Sequence, residues 1–115
     1  VVGCGGDRDK TKRGPMGIAA CRGGDLAIFT SDNPRSESPT AILHDIEDGV
    51  RGMNLQNYRI EPDRGAAIAA AIAEARSGDV VLIAGKGHED YQILAERTIA
   101  FDDREVARKT LMALK

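Results

Sequence analysis

The feature that most constrains the fold of this chain is the alternation of short apolar runs with longer segments of helical spacing. Apolar, partly β-branched runs occupy residues 26–30 and 80–84, and weaker ones occupy residues 1–2 and 58–60. Continuous apolar runs of this kind are typical of strands covered on both faces of a parallel sheet. The run at 80–84, Val-Val-Leu-Ile-Ala, is the strongest strand candidate in the chain.

Four helices are predicted between and after these runs, each from a start signal followed by apolar residues at helical spacing. The predicted starts are Pro15, Pro39, Asp63 and either Asp102 or Asp103. In the last helix, the side chains expected to face inward are Val106, Ala107, Thr110, Leu111 and Leu114. A hairpin with strands near residues 91–94 and 98–100 precedes that helix. This order predicts an α/β fold, a doubly wound, mostly parallel Rossmann-like sheet with one antiparallel edge strand.

Length and composition indicate one domain spanning residues 1–115 and exclude several classes of partner. The formal net charge of −2 provides no general attraction for nucleic acid or an anionic membrane surface. The apolar runs are too short to span a bilayer. Two cysteines and two histidines show no paired metal-ligand spacing, so no metal site is predicted, and reduced thiols in a cytoplasmic protein are expected. The opening Val1-Val2 is expected to be the end of a strand from a longer polypeptide.

Three polar, glycine-containing loops follow the predicted strands at residues 3–10, 31–35 and 85–90. The loops after parallel strands collect on one edge of the sheet, where open α/β sheets bind ligands. Their charged side chains are Asp7, Arg8, Lys10, Asp32, Arg35, Lys86 and Glu89. A mixed set of cations and anions suits a zwitterion better than a phosphate, because a carboxylate pairs with an arginine fork and an ammonium with carboxylates. The alternative, that these charges only solvate the loops and pair locally, remains open at this point.

Two nucleotide-binding motifs are incomplete in these loops. The segment Gly85-Lys86-Gly87 lacks the remainder of a phosphate-binding P-loop, and the glycines at residues 3–6 do not complete the dinucleotide fingerprint. Lys86 could still contact a phosphate as a point charge. His88 could act as a general base or order its loop by hydrogen bonding.

The three loops carry a resemblance to a known family. The segments Gly-Gly-Asp-Arg-Asp-Lys at 5–10, Thr-Ser-Asp-Asn-Pro-Arg at 30–35 and Gly-Lys-Gly-His-Glu-Asp-Tyr-Gln at 85–92 resemble the C-terminal domain of the Mur ligases, in particular of members that add meso-diaminopimelate. The resemblance extends over essentially the whole chain. It implies a cytoplasmic step of peptidoglycan synthesis, in which ATP activates the D-glutamate carboxylate of UDP-N-acetylmuramoyl-L-alanyl-D-glutamate and the amine of diaminopimelate attacks the acyl phosphate.

The resemblance also implies how the work is divided in a larger, three-domain ligase. ATP and Mg²⁺ are expected to bind mainly to a central domain, and the uridine nucleotide mostly to a first domain, so no catalytic residue is assigned to this chain. The isolated chain is therefore expected to be inactive.

The positions that match the family's amino-acid site are the following. The distal carboxylate of diaminopimelate is expected at Arg8, Asn33 and Arg35. The distal ammonium is expected at Asp32, the carbonyl of Gly85 and Glu89. Asp7 matches a position near the ATP ribose, whereas Lys10 and His88 receive no role.

Two other functions are compatible with a doubly wound domain. A free-standing binding module would capture an amino acid or phosphate ligand without catalysis. A flavodoxin-like signalling domain would use Asp32 and Lys86 as phospho-acceptor and partner, but Pro34 and Arg35 would have no role there.

Overall fold

A parallel three-stranded sheet forms the centre of the molecule, for which the computed structural model describes residues 1–86 and 88–114. The strands β1 (Val2–Cys4), β2 (Ala27–Ser31) and β3 (Tyr58–Ile60) lie in the order β1-β2-β3. In the register of the sheet, Val2 lies opposite Phe29, and Phe29 opposite Ile60. A helix connects each strand to the next parallel neighbour, as such crossovers require.

Four α-helices accompany the sheet: α1 (Arg13–Gly23), α2 (Pro39–Gly52), α3 (Arg64–Glu74) and α4 (Asp103–Ala113). A short 3₁₀ turn, Lys10–Lys12, precedes α1. The predicted cap at Asp63 is confirmed, and of the two starts left open for the last helix the structure selects Asp102 as the cap; both side chains accept a backbone N–H of the first turn. The helix that was predicted from Pro15 begins two residues earlier, at Arg13.

The core lies on both faces of β2, whose five residues are all buried. Ala27 and Phe29 join the α1 and α2 side chains in one apolar cluster, while Ile28 lies outside that cluster. On α2 the buried residues are Ile42, Leu43, Ile46 and Val50, as their helical spacing predicted. On α3, Ala67, Ile68 and Ile72 are buried, and this helix also packs against β2. The alternation of side chains along β2 thus supplies two helix-covered faces.

The structure has no strand at residues 80–84, contrary to the prediction from that apolar run. The ammonium group of Val1 donates to the Leu82 carbonyl at 2.8 Å, and the Ala84 N–H donates to the Val1 carbonyl at 2.9 Å. These two bonds are one rung of a parallel pairing. Among the described residues, Val1 is the only backbone hydrogen-bond partner of the run, so no ladder forms, and Val80 and Leu82 are 91% and 73% exposed.

The predicted hairpin is confirmed as the strands β4 (Tyr91–Ile93) and β5 (Thr98–Ala100), which pair antiparallel. Their two-stranded sheet is separate from the parallel sheet. The prediction for α4 was wrong in part: it packs against α3, but Leu111 and Leu114 are 54% and 60% exposed instead of facing inward. Helical spacing identified an apolar stripe, but the elements around α4 do not cover its last turn. No helix in the described ranges has both the length and the apolar character that a bilayer crossing requires.

Candidate functional site

The first and second loops lie in direct contact at the carboxyl end of the parallel strands. The Gly6 N–H donates to the Asn33 carbonyl at 2.8 Å. A Cβ atom at Gly6 would collide with the carbonyl oxygen of Pro34, so only glycine permits this approach. The loop after β1 and the loop after β2 therefore form one surface.

Arg35 bridges these two loops from a left-handed backbone conformation with φ of 54°. Its Nη1 donates to the Gly6 carbonyl at 2.9 Å and to the Asn33 carbonyl at 3.3 Å. The Arg35 N–H donates to the Ile93 carbonyl at 3.1 Å, which attaches the loop to the hairpin. Within the part of the chain that the structure describes, Nε and Nη2 have no hydrogen-bond acceptor, so this half-buried guanidinium retains donors for a ligand.

Asn33 is the most enclosed of the predicted site residues, with 2% of its surface exposed. Its Oδ1 accepts from Lys86 Nζ and from the Ile93 N–H, both at 3.0 Å. Its Nδ2 donates to Glu89 Oε1 at 3.4 Å. The hairpin thus forms a wall behind the second loop, a contact that the sequence did not predict.

Two carboxylates flank this amide. Asp32 Oδ1 lies 3.1 Å from Lys86 Nζ, but it is buried and accepts no hydrogen bond within the described residues, because the ammonium is off the bonding direction. Glu89 lies nearer the rim, 4.0 Å from the same ammonium and 31% exposed. The negative charge of Glu89 raises the pKa of Tyr91, whose hydroxyl donates to Glu89 Oε2 at 3.3 Å. Asp32 and Glu89 therefore form a negative pair beside the Asn33 amide.

The remaining predicted residues lie at the outer margin of the loops. Arg8 is exposed, and Gly85 adopts φ of 111° with its backbone close to the Gly3 carbonyl. Asp7 accepts from the Ser36 hydroxyl at 2.7 and 2.8 Å, and these hydrogen bonds lower its pKa. Asp7 is therefore bound to the second loop. Gly87 of the third loop lies outside the described residues, and His88 is exposed.

Sequence reasoning missed Arg13, whose side chain lies behind the loops and is 1% exposed. Arg13 donates to the Gly5 carbonyl at 3.0 Å, to both oxygens of Glu37 at 2.8 and 3.0 Å, and to Asp45 at 2.8 Å. The Arg13 hydrogen bonds lower the pKa of Glu37 to about 2. No sequence signal indicated its burial, because Arg13 lies two residues before the predicted helix start at Pro15.

Sequence reasoning also missed Arg64, which is 2% exposed and, like Arg13, donates hydrogen bonds to backbone carbonyls beside the loops. It donates to the Ser31 carbonyl at 3.0 Å and to the Ala84 carbonyl at 3.2 Å. Ser31 is the first residue of the second loop, and Ala84 directly precedes the third loop. Arg64 thus holds the two loops at a set separation.

The assembled surface offers guanidinium and amide donors beside carboxylate acceptors, which suits a ligand with both an acidic and an amino group. Within residues 1–86 and 88–114, there is no cluster of three or more histidine, cysteine or acidic side chains that could hold a metal ion. The fold and this edge define an α/β domain whose charged and amide side chains converge at the carboxyl ends of its parallel strands.

Comparison with known proteins assigns the family. The profile described as Mur ligase, glutamate ligase domain, matches residues 1–87. A solved structure titled UDP-N-acetylmuramoyl-L-alanyl-D-glutamate–2,6-diaminopimelate ligase superposes with a TM-score of 0.90 at 42% identity, over 98% of this chain and 23% of that one. The chain therefore belongs to the Mur ligase family, as the resemblance predicted.

Curated relatives with the same name are closer in sequence. The protein of Solibacter usitatus is 56% identical over 111 residues, which is 96% of this chain and 22% of that protein. The protein of Geobacillus thermodenitrificans is 60% identical over 108 residues, which is 94% of this chain and 22% of that protein. The chain thus spans about a fifth of the length of the relatives that it matches.

Proposed function

We propose that this chain is the C-terminal, amino-acid-recognition domain of a three-domain, ATP-dependent ligase that adds meso-diaminopimelate to UDP-N-acetylmuramoyl-L-alanyl-D-glutamate. The names of the matched relatives support this reaction. The observation that carries the proposal is the joint presence of Arg35 and Asn33 donors beside the carboxylates of Asp32 and Glu89. The reaction belongs to cytoplasmic peptidoglycan synthesis, with UDP-linked dipeptide, diaminopimelate and ATP as substrates.

In this proposal the domain holds the distal end of diaminopimelate. Arg8, Asn33 and Arg35 donate to the distal carboxylate. The distal ammonium is bound by the buried Asp32 oxygen, the Gly85 carbonyl and the half-exposed Glu89. The other amino group remains free and is directed toward the activated carboxylate of the nucleotide substrate. Holding both reactants in this geometry lowers the entropic part of the barrier.

The same site predicts a preference for diaminopimelate over lysine. Lysine lacks the distal carboxylate, so its binding would leave the partly buried cationic donors of Arg35 without an anion. A site built to pair a polar group rejects an analogue that lacks it by about 10⁴-fold.

ATP and Mg²⁺ are assigned to the rest of the ligase. Asp7 is proposed to lie near the ATP ribose, but its carboxylate already accepts hydrogen bonds from Ser36. The described part of the chain has no acidic cluster for a metal ion, so a metal has no proposed ligand here. The isolated chain is expected to show neither ATPase nor ligase activity, and turnover by the chain alone would contradict the assignment of catalysis to other domains.

The experiment is an amide-forming assay on the complete ligase, with meso-diaminopimelate and L-lysine offered side by side with ATP and the nucleotide dipeptide. Strong preference for diaminopimelate is expected. A preference for lysine would retain the ligase but reject the proposed role of the Asp32–Arg35 loop. No amide product with either amino acid would favour a binding module without catalysis.

A variant identifies the part played by Arg35. Arg35→Ala is expected to raise KM for diaminopimelate far more than KM for ATP. The matched control is Arg22→Ala, which removes an exposed arginine on α1, outside the loops. Equal changes in both KM values for Arg35→Ala would contradict a role in amino-acid recognition.

A further inference from the structure

We propose that Lys86 is a positioning residue of the amino-acid site, whose buried ammonium holds the Asn33 amide with its NH₂ group toward the ligand carboxylate. This inference rests on the proposed function and extends it to a residue that does not itself contact the ligand. Its expected effect is on selectivity between diaminopimelate and lysine.

The ammonium of Lys86 is committed to oxygens of the protein. Its side chain is 0% exposed. Nζ lies 2.8 Å from the Tyr91 carbonyl, 3.0 Å from Asn33 Oδ1 and 3.1 Å from Asp32 Oδ1. Two of its N–H donors are used by the Tyr91 carbonyl and Asn33 Oδ1, and the Asp32 carboxylate supplies the counter-charge. A buried cation is retained only with such partners. Lys86 is therefore not a phosphate contact, which the sequence had left open.

The orientation of the Asn33 amide follows from this arrangement. Oδ1 is held between two donors, Lys86 Nζ and the Ile93 N–H, both at 3.0 Å. Rotating the amide by 180° would place its NH₂ group against these two donors and break both hydrogen bonds. The network thus places Oδ1 on the side of Lys86 and Ile93 and Nδ2 on the side of Glu89, to which Nδ2 donates at 3.4 Å. The amide nitrogen keeps a second N–H, which is the donor that an anionic group of a ligand requires.

Charge balance gives a second reason. Asp32 and Glu89 place two carboxylates at 3.1 and 4.0 Å from Lys86 Nζ. Without the ammonium, these carboxylates would repel the distal carboxylate of diaminopimelate, and one of the two donors that hold Asn33 Oδ1 would be lost. Interactions between charges at such distances are strong where water is excluded. Loss of Lys86 therefore converts a site for an acid and an amine into a site for an amine.

The test is a double-mutant cycle in the complete ligase with Lys86→Met, Asn33→Ala and the double variant. Each single variant is expected to raise KM for diaminopimelate by about 10- to 100-fold and to lower the preference over lysine, with KM for ATP changed less than about twofold. Because Lys86 acts in part by orienting Asn33, the double variant is expected to be less impaired than the two single effects multiplied together would give. Additive effects, or equal changes in KM for ATP, would overturn the proposal.

A second variant keeps the proposal testable if Lys86→Met does not fold. Asn33→Asp keeps an oxygen toward Lys86 and replaces the outward NH₂ group with an acceptor. It is expected to lose diaminopimelate use by more than about 100-fold while retaining use of lysine; unchanged diaminopimelate use would overturn the proposal. Ile68→Val, a buried substitution on α3, serves as the control for destabilisation alone and is expected to leave the preference unchanged.

The result separates this inference from the proposed function. If the unmodified ligase prefers diaminopimelate and the cycle is additive, only the role of Lys86 is rejected. If the unmodified ligase does not use diaminopimelate, both are rejected.

Discussion

Arg64 forms a two-point ion pair with Asp103, in which Nε and Nη2 each lie 2.7 Å from a carboxylate oxygen. The Arg64 side chain is 0% exposed, and the pair joins the first turns of α3 and α4. The same guanidinium donates to the Ser31 and Ala84 carbonyls behind the binding loops. One buried charge therefore connects two helices with the edge that carries the site.

Asp103→Asn is expected to lower the free energy of unfolding by about 3–5 kcal/mol, because it leaves the Arg64 charge buried without its counter-ion. The matched control is Arg104→Met on the same helix. Arg104 pairs with Asp102 at 3.0 Å but is 69% exposed, so its loss is expected to cost about 0–1 kcal/mol. Urea unfolding of the two variants measures the difference. Equal losses of unfolding free energy would show that the buried Arg64 pair contributes no more to stability than the exposed Arg104 pair.

Gly49→Ala tests the close contact between α1 and α2. A Cβ atom at Gly49 would meet the backbone of Gly14, which cannot move aside without separating the helices. Overpacking of this kind typically costs about 1–3 kcal/mol. Gly52→Ala on the same helix meets no atom within 4 Å, and it is expected to be neutral or to stabilise by up to about 1 kcal/mol. Thermal unfolding compares them; similar shifts in both would argue against the contact.

The Arg13–Glu37 pair predicts acid sensitivity. Hydrogen bonding to Arg13 lowers the pKa of Glu37 from 4.5 to about 2, so the folded state binds fewer protons there than the unfolded state. The stabilisation is therefore complete above about pH 4.5 and is lost as the pH falls toward 2. Glu37→Gln is expected to be less stable than the unmodified chain at pH 6, and the difference should shrink on acidification. Melting midpoints across this range measure it.

Glu96→Gln provides the control for this pH experiment. Glu96 is exposed in the turn between β4 and β5. Its variant is expected to follow the pH profile of the unmodified chain. A gap between Glu37→Gln and the unmodified chain that stays constant from pH 6 to about 2 would reject the proposed linkage.

Both cysteines are expected to be unreactive in the folded chain. Cys4 and Cys21 are free thiols, 9% and 3% exposed, and burial raises the pKa of each. A low thiolate fraction and poor access both slow reaction with a disulfide reagent at pH 7.5. Two thiols should react rapidly in denaturant and neither at a comparable rate without it. Rapid reaction of one thiol in the folded state would show that its side chain is accessible.

Several features of the fold and the site were already present in the sequence. Three of the four helix starts, the strand at residues 58–60 and the hairpin follow from local patterns: a proline or capping aspartate before spaced apolar residues, and β-rich runs around a polar turn. The direct contact between the first two loops also follows, because loops after parallel strands share one edge. The roles of Arg8, Asp32, Asn33, Arg35, Gly85 and Glu89 in ligand binding remain predictions.

Other features were decided by tertiary structure alone, because they depend on backbone or side-chain partners from segments that are distant in the sequence. The run at residues 80–84 has the composition of a strand, but a strand also needs a neighbouring backbone to pair with, and within residues 1–86 and 88–114 its backbone hydrogen bonds to another segment go to Val1 alone. A sequence pattern places charged residues such as Arg13, Arg64 and Lys86 at the surface. Each of them is nevertheless buried, because carbonyls and carboxylates from several elements converge on it. Periodicity is a local property that the sequence states directly, whereas the burial of a charge is determined only when the fold brings its partners together.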